Sequence, residues 1–151
     1  MHPGSPPEQP LLTYIDTSVL AAYYCPEPLS SRAQQALQRE ERLAISWLVE
    51  TEFLSMLARK VRTREIRAAE GLRVLAVFQA HLEQGIYQRL ALEREHFAKA
   101  REWLATFTVP LQTLDALHLA VAAMQGCPIL TADAALAKAC TRIGITAHLI
   151  S

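Results

Sequence analysis

Five short apolar runs punctuate the chain, each followed or preceded by a segment long enough for a helix. They are Leu11–Ile15, Leu43–Ser46, Ile86–Leu90, Pro128–Thr131 and Ile145–Leu149. Near-continuous apolar runs of four or five residues suit strands buried on both faces. Strands that alternate with helices predict an α/β fold with a parallel central sheet of about five short strands, helices covering both faces. The helices are expected over 19–24, 30–42, 47–62, 66–82, 93–106, 114–125 and 133–142. Prolines 26 and 28 end the first of them. Ser30 or Ser31 is expected to cap the second and Thr113 the sixth. In the helix over 66–82, Ala68, Leu72, Leu75 and Ala76 share an apolar face, widened by Val77 and Phe78. Phe97, Ala100 and Leu104 share another in the helix that follows.

The 151 residues fit one domain with a single core. The expected boundaries are a disordered proline-rich leader over 1–10 and a globular unit over 11–151. The leader lacks the apolar stretch of a signal peptide. No run approaches the roughly 18 apolar residues of a membrane span, so no membrane association is expected. Fifteen basic and fifteen acidic residues cancel, which removes the strong overall positive charge of many polyanion-binding domains. Cys25, Cys127 and Cys140 are odd in number and widely spaced. Reduced thiols in a cytoplasmic protein are the simplest expectation.

Four acidic residues stand where apolar sequence gives way to helix. They are Asp16, Glu52, Asp115 and Asp133. A carboxylate in apolar company is costly unless it is paired or binds a metal. In an open parallel sheet, ligands bind beyond the carboxyl ends of the strands. Asp16 follows the first strand and Asp133 follows the fourth, so both are expected at that crevice. Two carboxylates about 4 Å apart repel by roughly 4 kcal/mol at an effective dielectric near 20. Oxygen ligands without a compact His/Cys set suit Mg²⁺ or Mn²⁺. Such ions best support phosphoryl transfer or phosphodiester hydrolysis.

Each acid also has a plainer explanation. Asp16 suits a turn at a strand end, Asp115 the start of a helix dipole, and Asp133 a helix cap. Glu50 competes with Glu52, because the two point to opposite sides of one helix and both have apolar neighbours. The hydroxyls of Ser18 and Thr131 lie two residues from Asp16 and Asp133. They would either orient those carboxylates or serve local capping. His118, one turn beyond Asp115, reads as a packed helix histidine before a ligand or base. Arg59, Lys60, Arg62, Arg64 and Arg67 form a basic stretch without interleaved aromatics. It suits a solvated or partner-binding face better than base stacking.

Four segments carry a family resemblance. They are Tyr-Ile-Asp-Thr-Ser-Val-Leu at 14–20, Glu-Thr-Glu-Phe at 50–53, Leu-Asp-Ala-Leu-His-Leu-Ala at 114–120 and Thr-Ala-Asp at 131–133. In that order and spacing the chain resembles the PIN-domain ribonucleases, and within them the VapC-type toxins of bacterial toxin–antitoxin pairs. The resemblance implies a Mg²⁺- or Mn²⁺-dependent endoribonuclease that leaves a 5′-phosphate. It implies Asp16, Glu52, Asp115 and Asp133 as metal-binding and catalytic acids, with Glu52 chosen over Glu50. It further implies an RNA substrate, a homodimer and a cognate antitoxin protein. A non-catalytic PIN-like module that only binds RNA or protein is the alternative. A response-regulator receiver would want paired acids after the first strand and a late lysine. A haloacid-dehalogenase-like phosphatase would want an acid at position 18, where Ser18 stands. Both fit poorly.

Overall fold

The five apolar runs become five parallel strands in one sheet, ordered β3-β2-β1-β4-β5. The structure, a computed structural model, describes residues 4 and 10–151. The expectation of a disordered leader falls almost wholly on residues outside that description. The strands are β1 Leu12–Ile15, β2 Arg42–Ser46, β3 Tyr87–Leu90, β4 Ile129–Thr131 and β5 Ala147–Leu149. Among the described residues seven helices connect them: α1 Thr17–Tyr24, α2 Ser30–Arg39, α3 Trp47–Arg62, α4 Ala68–Glu83, α5 Arg94–Leu104, α6 Thr113–Gln125 and α7 Ala134–Ile143. Successive residues of a strand point to opposite faces. Thr13, Tyr14 and Ile15 of β1 and all of β4 are buried, so the centre of the sheet is covered on both faces. The single α/β domain with an all-parallel sheet is therefore as the alternation predicts.

The strand order places a reversal between β1 and β4. From β1 the chain builds outward through β2 to the β3 edge, then returns through α5 and α6 to lay β4 on the other side of β1. Such a reversal opens a crevice beyond the carboxyl ends of the two strands. Helices α1, α3 and α7 each follow a strand almost directly, so their N-termini lie at that end of the sheet. Helix α6 precedes β4 by a short turn and runs the other way along the strands. Its N-terminus lies at the same end.

Two helix caps differ from expectation. Ser30 is the first helical residue of α2, behind Leu29, and its hydroxyl accepts from Glu27 N and donates to the Cys25 carbonyl. It braces the preceding turn instead of capping the helix. Thr113 is likewise the first residue of α6, whose cap Gln112 uses no side chain. At the other end of α6, Gly126 adopts φ 70°, a left-handed cap that suits a residue without Cβ.

Helix α4 turns its expected apolar face outward. Leu72 is 67% exposed, while Gly71, Phe78 and Leu82 are buried. The reason is tertiary. Phe78 packs edge-to-face on Phe53 of α3 at 4.7 Å between ring centres, and Tyr24 joins both rings. That aromatic cluster fixes the rotation of α4. Gly71, a mark against a helix in isolation, meets α3 closely: a Cβ there would lie 2.9 Å from Val61 Cγ2. The three cysteines are free and buried.

Gly126→Ala is expected to destabilise the chain by roughly 1–2 kcal/mol, because a Cβ is disfavoured in the left-handed region. Thermal unfolding followed by circular dichroism checks this; the expected fall in Tm is on the order of 3 °C.

Candidate functional site

Asp16 is the first residue beyond β1, and its backbone N–H donates to the Leu130 carbonyl of β4 at 3.0 Å. It stands at the cap position of α1, yet its side chain caps nothing there. The carboxylate is 7% exposed and accepts two hydroxyls on one oxygen. Ser18 donates to Oδ2 at 2.6 Å and Thr131 at 2.9 Å. Both hydroxyls are themselves oriented by backbone amides, Ala132 N on Ser18 Oγ at 2.9 Å and Asp133 N on Thr131 Oγ1 at 3.0 Å. The β1 and β4 ends are thus tied through side chains as well as through the ladder. Both side chains orient Asp16, and Thr131 also makes the strand-end turn of its plainer reading, through the Asp133 amide. Oδ1 of Asp16 has no hydrogen-bond donor among the described residues.

Asp133 follows β4 by two residues and caps α7 through Oδ1, which accepts from Ala135 N at 2.9 Å and Leu136 N at 3.2 Å. Its Oδ2 has no donor among the described residues. The plainer role of Asp133 is therefore real, and it leaves one oxygen unengaged. Asp115 lies in the first turn of α6 and is half-buried. Its carboxyl is held above the ordinary 3.8, first by burial and then by the charges of Asp133 and Asp16. Those repulsions show that the three aspartates share one electrostatic neighbourhood. A backbone hydrogen bond at Gln112 opposes the rise.

Helix α3 separates its two acids. Glu50 is held at the β3 side by Arg89, whose guanidinium donates to both carboxylate oxygens at 2.6 and 3.0 Å and stacks on Trp47. Glu52 lies on the β1 side. Its Oε1 accepts from Thr17 at 3.1 Å and engages His118 Nε2. His118 is packed at 2% exposure, as a helix histidine should be, and its Nδ1 meets the Tyr14 hydroxyl at 2.6 Å. Tyr14 also meets Ser46 Oγ at 2.8 Å. Burial above all pushes the Tyr14 hydroxyl far above its usual range, with Asp16 and Glu52 adding to the rise, so it remains a proton donor. Tyr14, Thr17 and the bonding of His118 are the parts that sequence reasoning missed. Two signals were available. Tyr14 lies two residues before Asp16 on the same strand face, and His118 lies three residues after Asp115 on one helix side. For Thr17 there was none.

No arginine or lysine bonds to Asp16, Glu52, Asp115 or Asp133 among the described residues. Gathered carboxylates without a cationic partner, each keeping an oxygen unengaged, suit a hard divalent cation in chemistry. Among the described residues, no three His, Cys, Asp or Glu side chains converge tightly enough to hold an ion as they stand. A cation would have to draw the carboxylates together.

The sign of the Asp115 shift sets a test. An elevated carboxyl pKa means that the folded chain binds the proton more tightly than the unfolded one. The penalty is absent below the unfolded value and grows as pH rises through the folded one. Asp115→Asn is therefore expected to raise the Tm of the metal-free protein at pH 7 by on the order of 2 °C. Differential scanning calorimetry should show this gain shrink as the pH is lowered towards 4.

The sequence profile of the PIN domain matches residues 13–141. No curated protein sequence matches the chain. Among solved structures, the sarcin–ricin-loop-cleaving toxin VapC20 of Mycobacterium tuberculosis is similar in fold, with a TM-score of 0.66 at 18% identity over 84% of this chain and 94% of that one. VapBC2 from Rickettsia felis, bound to a DNA fragment from its promoter, gives a TM-score of 0.68 at 12% identity over 93% of this chain and 100% of that one. FitAcB from Neisseria gonorrhoeae gives 0.66 at 18% identity over 89% and 95%. Identities this low speak for the fold alone.

Proposed function

The chain belongs to the PIN-domain family, and on that premise we propose that it is a Mg²⁺- or Mn²⁺-dependent endoribonuclease, the toxin of a type II toxin–antitoxin pair. The observation that carries this reading is the acidic crevice at the ends of β1 and β4, where the charges of Asp16 and Asp133 act on Asp115 and no arginine or lysine bonds to any of the three among the described residues. In this reading Asp16, Asp115 and Asp133, with Glu52, hold the metal. When bound, the ion would supply activation of a water and neutralisation of the leaving oxygen.

The residues themselves do the positioning. Ser18 and Thr131 fix one oxygen of Asp16, so the other presents outward in a set direction. Asp133 is anchored through its capping oxygen in the same manner. Burial and the neighbouring charges of Asp133 and Asp16 raise the Asp115 carboxyl, and a bound cation would oppose that rise. Hydrolysis would transfer the water oxygen to phosphorus and expel the 3′ oxygen, leaving a 5′-phosphate.

An antitoxin partner is proposed on the strength of the structural neighbours, several of which are toxin–antitoxin complexes. The outward face of α4 supports it: Leu54, Leu57, Val61, Leu72 and Leu75 line an apolar groove of about 530 Å³ between α3 and α4. Arg59, Arg62, Arg64 and Arg67 are exposed beside it and pair with no acid among the described residues. Of the basic stretch only Lys60 is engaged, by Glu27 and Glu65. A homodimer is proposed as well, with Phe97, Phe107 and Leu114 as exposed apolar side chains on the α5–α6 side. No helix is long and apolar enough to cross a membrane among the described residues.

The alternative, a PIN-like module that binds without cutting, draws on one observation: the carboxylates do not converge as they stand. Asp16→Asn separates the two. The purified variant is expected to keep its fold and to lose Mg²⁺-dependent RNA cleavage by about 100-fold or more, the scale of removing an important electrostatic group from an active site. A variant that cleaves as fast as the wild type sinks the nuclease assignment. Absence of Mn²⁺ binding to the wild-type chain in titration calorimetry favours the binding module.

A further inference from the structure

The acids of the crevice are not all held alike. Asp16 is oriented by hydroxyls at the ends of β1 and β4 and Asp133 by amides in the first turn of α7, whereas Glu52 is oriented from inside the core. The route runs through four side chains contributed by β1, β2, α3 and α6. Val49 N–H donates to Ser46 Oγ at 3.2 Å, Ser46 meets Tyr14 at 2.8 Å, Tyr14 meets His118 Nδ1 at 2.6 Å, and His118 Nε2 meets Glu52 Oε1. A carboxylate can only accept, so Nε2 carries the hydrogen it donates to Glu52. In the neutral ring Nδ1 then accepts from Tyr14. Tyr14 has one hydrogen, spent on Nδ1, so its oxygen accepts from Ser46, whose own oxygen accepts the Val49 amide. One direction of donation satisfies every member, and no buried side-chain polar atom is left without a partner among the described residues.

We propose that His118 is a positioning residue: with Tyr14 and Ser46 behind it, it fixes the Glu52 carboxylate through Oε1 and leaves Oε2 for the crevice. Three observations carry it. His118 and Tyr14 are almost wholly buried, so water cannot substitute for either. Both ring nitrogens are spent on this one route. The second donor to Glu52, Thr17, engages the same Oε1, so both donors leave the same oxygen unengaged. Glu50, two residues away, has no link to this route and turns to Arg89. The buried relay is thus a physical distinction between two glutamates that their local sequence does not separate.

The catalytic consequence rests on the nuclease reading; the positioning itself does not. The experiment therefore reads both. In the metal-free protein, ¹³C relaxation of the Glu52 side chain is compared among wild type, His118→Leu and His118→Gln. Leucine fills the space without a donor, while glutamine keeps an N–H at about the reach of Nε2. Glu52 is expected to become mobile in His118→Leu and to regain its order in His118→Gln. In Mg²⁺-dependent RNA cleavage, His118→Leu is expected to lower kcat about 10-fold or more with KM little changed, and His118→Gln to recover most of that loss. Tyr14→Phe is expected to loosen Glu52 less than His118→Leu, and to add no further loss in the His118→Leu background. It carries the same test if both substitutions at 118 unfold the chain.

Unchanged order of Glu52 in His118→Leu overturns the proposal, as does a glutamine variant no better than leucine. If the wild-type chain cleaves no RNA, the nuclease reading fails by itself, and the order of Glu52 still decides the positioning claim.

Discussion

The N–H of Asp16 donates to the Leu130 carbonyl, carrying the β1–β4 ladder one residue past the end of β1. The crevice depends on that bond. It puts Asp16 beside Thr131, whose hydroxyl donates to the carboxylate while accepting the Asp133 amide. Slip β4 by one residue against β1, and Thr131 would turn to the other face of the sheet. The two strand-end acids would then lose their common anchor. The long return from the β3 edge through α5 and α6 is what permits the pairing, and it also delivers Asp115 at the same end of the sheet.

The crevice concentrates negative charge that the rest of the fold does little to neutralise. Burial and the charges of Asp133 and Asp16 hold the Asp115 carboxyl above its usual range. Elsewhere the chain pairs its acids readily: Glu50 with Arg89, Glu27 and Glu65 with Lys60. The cations are there, and they are placed away from the crevice. The apolar packing lies elsewhere, in the aromatic cluster of Tyr24, Phe53 and Phe78 and in the doubly covered strands β1 and β4.

Much of the fold was legible because its signals are local. Short apolar runs marked all five strands, and the bounds of α3 matched the expectation over 47–62. Strand order was not legible, since it depends on pairings between distant segments. The face of α4 was misread because Leu72 and Leu75 are strongly apolar, yet Phe78 meets Phe53 and sets the rotation. At the site, Asp16 and Asp133 were placed at the crevice by strand-end logic alone. Glu52 could not be separated from Glu50, because the deciding partners, Arg89 on β3 and His118 on α6, lie far along the chain.

The central claim is that the carboxylates at the β1–β4 reversal form one divalent-cation site. Anomalous diffraction from crystals grown with Mn²⁺ tests it directly. The account predicts a Mn²⁺ peak beyond the ends of β1 and β4, within coordination distance of Asp16 and of at least one of Asp115 and Asp133. Well-ordered crystals with no Mn²⁺ in that crevice, or with the ion bound only elsewhere, would contradict it.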